Sequence, residues 1–119
     1  MRRALATLTV LLCALPIAAC GDEETPADDG GAPAVVEVTF EGDSVTPNGE
    51  RVDVATGQDV ELQITADEAG EIHVHSDPEQ EFAYESGEST VTIVGIDTPS
   101  TVDVESHSLD KVIVQLEVR

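Results

Sequence analysis

Sulfur is absent from almost all of this sequence: the two cysteines are Cys13 and Cys20, and the single methionine is Met1. Beyond residue 20 there is no disulfide to staple a fold, no thiolate nucleophile, and no thiolate–thioether pair to hold a soft metal. Aromatic residues are nearly as scarce, with no Trp, one Tyr and two Phe, so any core is built from aliphatic side chains. Positive charge is the third deficit. Five Lys and Arg stand against 25 Asp and Glu, a net charge of −20, and two of those five are Arg2 and Arg3 at the start. A surface of that sign repels nucleic acid and anionic lipid headgroups, which removes both as partners and fits a solvated acidic exterior. No Gly-rich phosphate loop, Gly-x-Ser-x-Gly elbow, internal repeat or sustained helical stripe is present. With none of these templates, the expectation is a protein that is not an enzyme.

What is present begins with an export signal. Met1-Arg2-Arg3 is followed by an uncharged run from Ala4 to Leu15, and then by Ile17-Ala18-Ala19-Cys20. The apolar run has signal-peptide length and is short for a permanent span. Small residues before the cysteine suit a signal peptidase, and the tetrapeptide resembles the lipobox of bacterial lipoproteins. Cys20 is then the lipidated residue, and the chain is exported and held by lipid at the extracytoplasmic face of the cell membrane. The other reading is an ordinary secretory signal that leaves Cys20 as a free thiol. Arg2-Arg3 alone does not make a twin-arginine signal.

The chain divides into three parts: a signal peptide at 1–19, a lipidated cysteine with a disordered acidic tether at 20–33, and a domain at 34–119. The tether, Gly21 to Pro33, is acids, Gly and Pro, with too little apolar surface to offset the entropy of ordering it. From Ala34 onward the hydrophobic period is two. Val36, Val38 and Phe40 alternate with polar residues, as do Val60, Leu62 and Ile64, Ile72 and Val74, and Val102 and Val104, while Val112, Val114, Leu116 and Val118 close the chain at the same period. Alternation sends one set of side chains inward and the other to water. Turn sequences such as Pro47-Asn48-Gly49, Asp77-Pro78 and Ser86-Gly87 separate the runs. About eight short strands so spaced predict an antiparallel all-β sandwich or barrel, of one domain and expected to be monomeric.

The residues with chemical promise are the histidines. In His73-Val74-His75, the two imidazoles leave one face of a strand with Cα atoms roughly 6–7 Å apart, while Ile72 and Val74 face inward. Two rings so placed can converge on one ion. The third histidine, His107, follows Val102-Val104, and Glu105 lies on its side of that strand if the alternation continues. Neutral imidazole suits copper, zinc or nickel, and a carboxylate completes such a set. The candidate metal ligands are therefore His73, His75, His107 and Glu105. The competing reading is three solvated histidines on an acidic surface, because a short His-x-His is a weak motif.

Residues 34–119 resemble the cupredoxin-like (plastocyanin-like) domains of small secreted actinobacterial lipoproteins, the type also found at the start of EfeO-like iron-uptake proteins. The resemblance rests on Val45-Thr46-Pro47 with Arg51-Val52-Asp53-Val54, on Gln58-Asp59-Val60-Glu61-Leu62, on Glu71-Ile72-His73-Val74-His75, on Ser86-Gly87-Glu88, and on the closing Gln115-Leu116-Glu117-Val118-Arg119. It implies a Greek-key β-sandwich of seven or eight strands, whose metal pole combines the loop near the first histidine with the turn of the last hairpin. On that scheme His73 or His75 matches the first histidine ligand, His107 falls in the closing loop, and the thiolate position falls near Ser106. A serine hydroxyl cannot replace the sulfur–copper bond, so blue-copper electron transfer is not expected. The resulting expectation is a membrane-anchored cupredoxin-like binding module of the envelope that takes a copper or zinc ion through histidines. The alternative is a metal-free structural or interaction lipoprotein whose sandwich contacts another envelope protein.

Overall fold

The computed structural model describes residues 31–119; the signal segment, Cys20 and most of the tether lie outside the described residues. Nine strands follow in order: β1 (Ala34–Glu41), β2 (Ser44–Thr46), β3 (Glu50–Val54), β4 (Val60–Ala66), β5 (Gly70–Val74), β6 (Gln80–Tyr84), β7 (Gly87–Ile93), β8 (Ser100–Ser106) and β9 (Lys111–Val118). They form two sheets, β2-β1-β4-β7 and β3-β9-β8-β5-β6. The all-β sandwich expected from the period of two is thus observed, with no helix among the described residues and none there long and apolar enough to cross a membrane.

Two features refine the expected pattern. Both sheets are mixed: β1 pairs with β4, and β3 with β9, in parallel. Alternation sets which face a side chain takes, not which strand lies beside it. The added strand, β2, has only three residues, too few for a period to show. It pairs with β1 across the tight turn at Gly42-Asp43.

The inward faces meet in one aliphatic layer. Leu62, Ile72, Val74, Val104, Ile113, Val114 and Leu116 are completely buried, and Ala34, Val52, Phe82, Ile96 and Leu109 pack against the edge of this core. In β9 the phase of the pattern breaks. A register shift between Val104 and Glu105 inserts Ile113 as an extra residue, so Ile113 and Val114 are both buried while Val112 is only half-buried. This bulge corrects the expectation that Val112 points inward. With no disulfide in this domain, the packed layer carries its stability.

The β8–β9 hairpin lies at one pole, together with the start of β5 and the ends of β1 and β6. At β5 the two sides of the sheet then diverge. Ile72 and Val74 go to the core, and Glu71, His73 and His75 go to the outer face.

Candidate metal site on the outer face of β5

β5 lies between β6 and β8, so whatever leaves its outer face has carboxylates on either side. His73 is opposite Glu81 of β6 and Glu105 of β8 in the strand register, and Glu71 precedes it by one pleat on the same face. The His73 side chain is one-fifth exposed, more sheltered than His75 and the carboxylates around it. Its Nε2 is 2.8 Å from Glu71 Oε1 and 3.5 Å from Glu81 Oε1. Its Nδ1 is 3.8 Å from Glu79 Oε1, on the β5–β6 loop. Among the described residues, Glu71, His73 and Glu81 form a group whose ligand atoms all lie within 4.8 Å of one another.

His75, one pleat on, is held differently. Its backbone N–H donates to the carbonyl of Asp103, its Nε2 is 2.9 Å from Glu105 Oε2, and its Nδ1 is 3.7 Å from Glu79 Oε1. The His73 and His75 rings are 6.5 Å apart, centre to centre. His107 reaches the same face from the closing hairpin, where its N–H donates to the Glu71 carbonyl and its ring stacks on His73 at 4.7 Å. All four residues singled out from the sequence are therefore on one surface, but not in one coordination sphere. Glu105 is beside His73 in register yet bonds His75, and His107 contributes a ring face to His73.

Glu71, Glu79 and Glu81 add to the residues read from the sequence. Glu71 could have been found there, since Glu71, His73 and His75 are all two apart and share a face. Glu81 needs the β5–β6 pairing and Glu79 the loop path, neither of which a period of two encodes.

The charged form of His73 is favoured in the metal-free protein. The hydrogen bond to Glu71 raises its pKa above the ordinary 6.5; burial opposes this, and the charges of Glu81, Glu71 and Glu79 add to the rise. A raised folded-state pKa contributes stability that is fully present below the unfolded value near 6.5 and lost as pH climbs through the folded value. With chelator present, the denaturant midpoint of wild type is expected to fall over that window, and the His73→Asn variant to lack this component. Superimposable pH profiles for the two proteins would show that the ring is not so held.

The inner side of the pole is a different environment. Ser106 is completely buried, and its Oγ accepts the N–H of Leu109 at 3.3 Å. Phe40 and Tyr84 stack beneath the hairpin with ring centres 4.8 Å apart and planes within 12°. A side chain at Gly70, the start of β5, would overlap the Tyr84 hydroxyl and lie 2.9 Å from Ser108 Oγ. The cleft left between Phe40, Asp67, Tyr84 and Leu109 measures about 40 Å³.

No family model matches the chain, and no curated protein matches it. Solved structures do. Dithionite-reduced auracyanin from the photosynthetic bacterium Roseiflexus castenholzii is similar at a TM-score of 0.50 and 13% identity, over 75% of this chain and 99% of that one. The blue copper oxidase of Nitrosomonas europaea gives 0.52 and 14%, over 73% of this chain and 44% of the oxidase. The multi-copper oxidase of Pediococcus acidilactici gives 0.53 and 11%, over 93% and 31%. The chain spans less than half of either oxidase. At these identities the likeness concerns the fold, which is cupredoxin-like.

A cupredoxin-like fold implies copper at the pole of the closing hairpin, and the residues at this pole do not fit it. No cysteine or methionine exists there, the serine at the expected thiolate position is committed to its own turn, and an aromatic stack fills the space behind it. All three histidines are turned to the outer face instead.

Proposed function

We propose that this chain is a lipid-anchored, cupredoxin-like module of the cell envelope that binds a divalent metal ion on the outer face of β5 and has no blue-copper centre. The carrying observation is the convergence of His73 Nε2 with the carboxylates of Glu71 and Glu81. One imidazole with two carboxylates is a donor set for Zn(II) or Cu(II), whereas Cu(I) prefers sulfur. His75 with Glu105 extends the site, and His107 shields one face of His73. Binding, not catalysis, is the role of this surface. The export and anchoring rest on the first twenty residues, and membrane contact is made through lipid at Cys20, since an acidic domain gains nothing from an anionic bilayer.

A second reading is supported by the filled pole: a sandwich complete without metal that serves as a scaffold for another envelope protein. Calorimetric titration with Zn(II) and Cu(II) separates the two. The expected result is stoichiometric binding tighter than about micromolar, a free energy beyond about −8 kcal/mol, that disappears when His73, His75 and His107 are all alanine. Weak binding, equal in both proteins, would favour the scaffold and turn the search to a protein partner.

A further inference from the structure

The His73 ring on β5 and the His75 ring just beyond its end each have carboxylates at both nitrogens. Along the face the order is Glu71 and Glu81 at His73 Nε2, Glu79 between the two Nδ1 atoms, and Glu105 at His75 Nε2. Imidazole and carboxylate alternate without a gap, and no Lys or Arg contact interrupts the row among the described ion pairs.

We propose that this row holds two divalent ions, one on His73 and one on His75, with Glu79 as the acceptor shared by both rings. The inference rests on the metal-binding reading above and deepens it. An imidazole offers one nitrogen to an ion, and its tautomer is fixed by what the other nitrogen donates to. Glu79 Oε1 lies 3.8 Å from His73 Nδ1 and 3.7 Å from His75 Nδ1, close enough to take both N–H groups after a small closure of its loop. Both Nε2 atoms are then left to ligate, and they face opposite ends of the row. At one end Glu71 and Glu81 complete a three-donor site; at the other Glu105 makes a two-donor site open to water.

Distances and charge agree with this division. Two donors on one tetrahedral zinc, each about 2.0–2.2 Å from the metal, are roughly 3.3 Å apart. The contacts of His73 Nε2 with Glu71 and Glu81, at 2.8 and 3.5 Å, bracket that value. The 2.9 Å contact of His75 with Glu105 reaches it by opening a few tenths of an ångström. A single ion at His73 would leave Glu79 and Glu105 facing His75 with their charge unmet. Two divalent ions balance the four carboxylates. The three-donor end fills first, because it has more ligands and the more sheltered ring.

The test is zinc stoichiometry, with zinc chosen because it undergoes no redox change. The full chain carries Cys13→Ser and Cys20→Ser, so that no thiol competes, and is kept in non-ionic detergent. Calorimetry and elemental analysis are expected to give two zinc ions per chain in two unequal steps, beyond any zinc retained by the triple histidine variant. His75→Ala with Glu105→Gln is expected to leave one ion, bound in the tighter step. Glu79→Gln is expected to weaken both steps about tenfold, the effect of losing a carboxylate that orients ligating histidines, with the metal-free circular dichroism spectrum unchanged. One zinc per chain, unaltered by the His75 and Glu105 changes, would overturn the two-ion arrangement and leave the single-site reading standing. No zinc above the triple histidine variant would overturn both. Two ions with no response to Glu79→Gln would remove the shared acceptor, and with it the arrangement proposed.

Discussion

His73→Ala is expected to lower zinc affinity by about a hundredfold or more, a loss of about 2.8 kcal/mol at 1.4 kcal/mol per tenfold. His107→Ala is expected to change it by no more than a few-fold. The difference follows from what each ring touches. His73 Nε2 faces two carboxylates that flank it from the same strand and from β6, and the ring is one-fifth exposed, so its position is already fixed by the sheet. Removing it leaves Glu71 and Glu81 as two exposed carboxylates without a nitrogen between them, a set that water and monovalent cations satisfy nearly as well. His107 meets the site through its ring face, and its backbone bond to Glu71 survives substitution. Titration of the two variants in parallel checks this. Equal losses would mean that the stacked pair of rings, not the carboxylate-flanked nitrogen, holds the ion.

That ranking of the histidines was not available from the sequence, although the common face of His73 and His75 was. The period of two assigned Val36, Val38, Leu62, Ile64, Ile72, Val74 and Val104 to the core, and with them the outward direction of His73 and His75. It did so because burial on one face is a local property, readable from neighbours in the chain. Pairing is not local. Glu81 comes beside His73 only because β6 folds back on β5 in a particular register, and Glu105 reaches His75 because β8 lies on the other side. Val112 misled for a related reason. A one-residue bulge reverses every inward and outward assignment beyond it, and nothing in Lys111-Val112-Ile113-Val114 marks which valine takes the inner face. The pole shows the converse. The absence of cysteine and methionine already argued against a blue-copper centre, and it needed no coordinates.

The aromatic stack at that pole carries the second prediction. Phe40→Ala is expected to cost about 3–5 kcal/mol of folding stability, and to leave zinc affinity within a few-fold of wild type. Phe40 is 4% exposed and Tyr84 5%, and their stacked rings are two of only three aromatic side chains in the whole sequence. Deleting one removes a large apolar surface from the end of the sandwich and strands the other, for which a stacked pair adds about 0.5–1.5 kcal/mol beyond its buried area. The pole cannot collapse to fill the gap, because Gly70 lies against the Tyr84 hydroxyl and the hairpin above is held by the Ser106–Leu109 bond. For a domain of this size about 1 kcal/mol moves the melting temperature by roughly 4–8 °C, so a fall of at least about 12 °C is expected in thermal denaturation. A domain without a disulfide, with about 5–15 kcal/mol in all, would lose a large part of its margin. Metal affinity is measured on the same variant below its melting point. Unchanged binding with lost stability would separate the inner pole, which closes the fold, from the outer face of β5, which meets the ion. Zinc affinity that collapsed along with stability would instead place the metal at the pole, beneath the closing hairpin, against the assignment to the outer face.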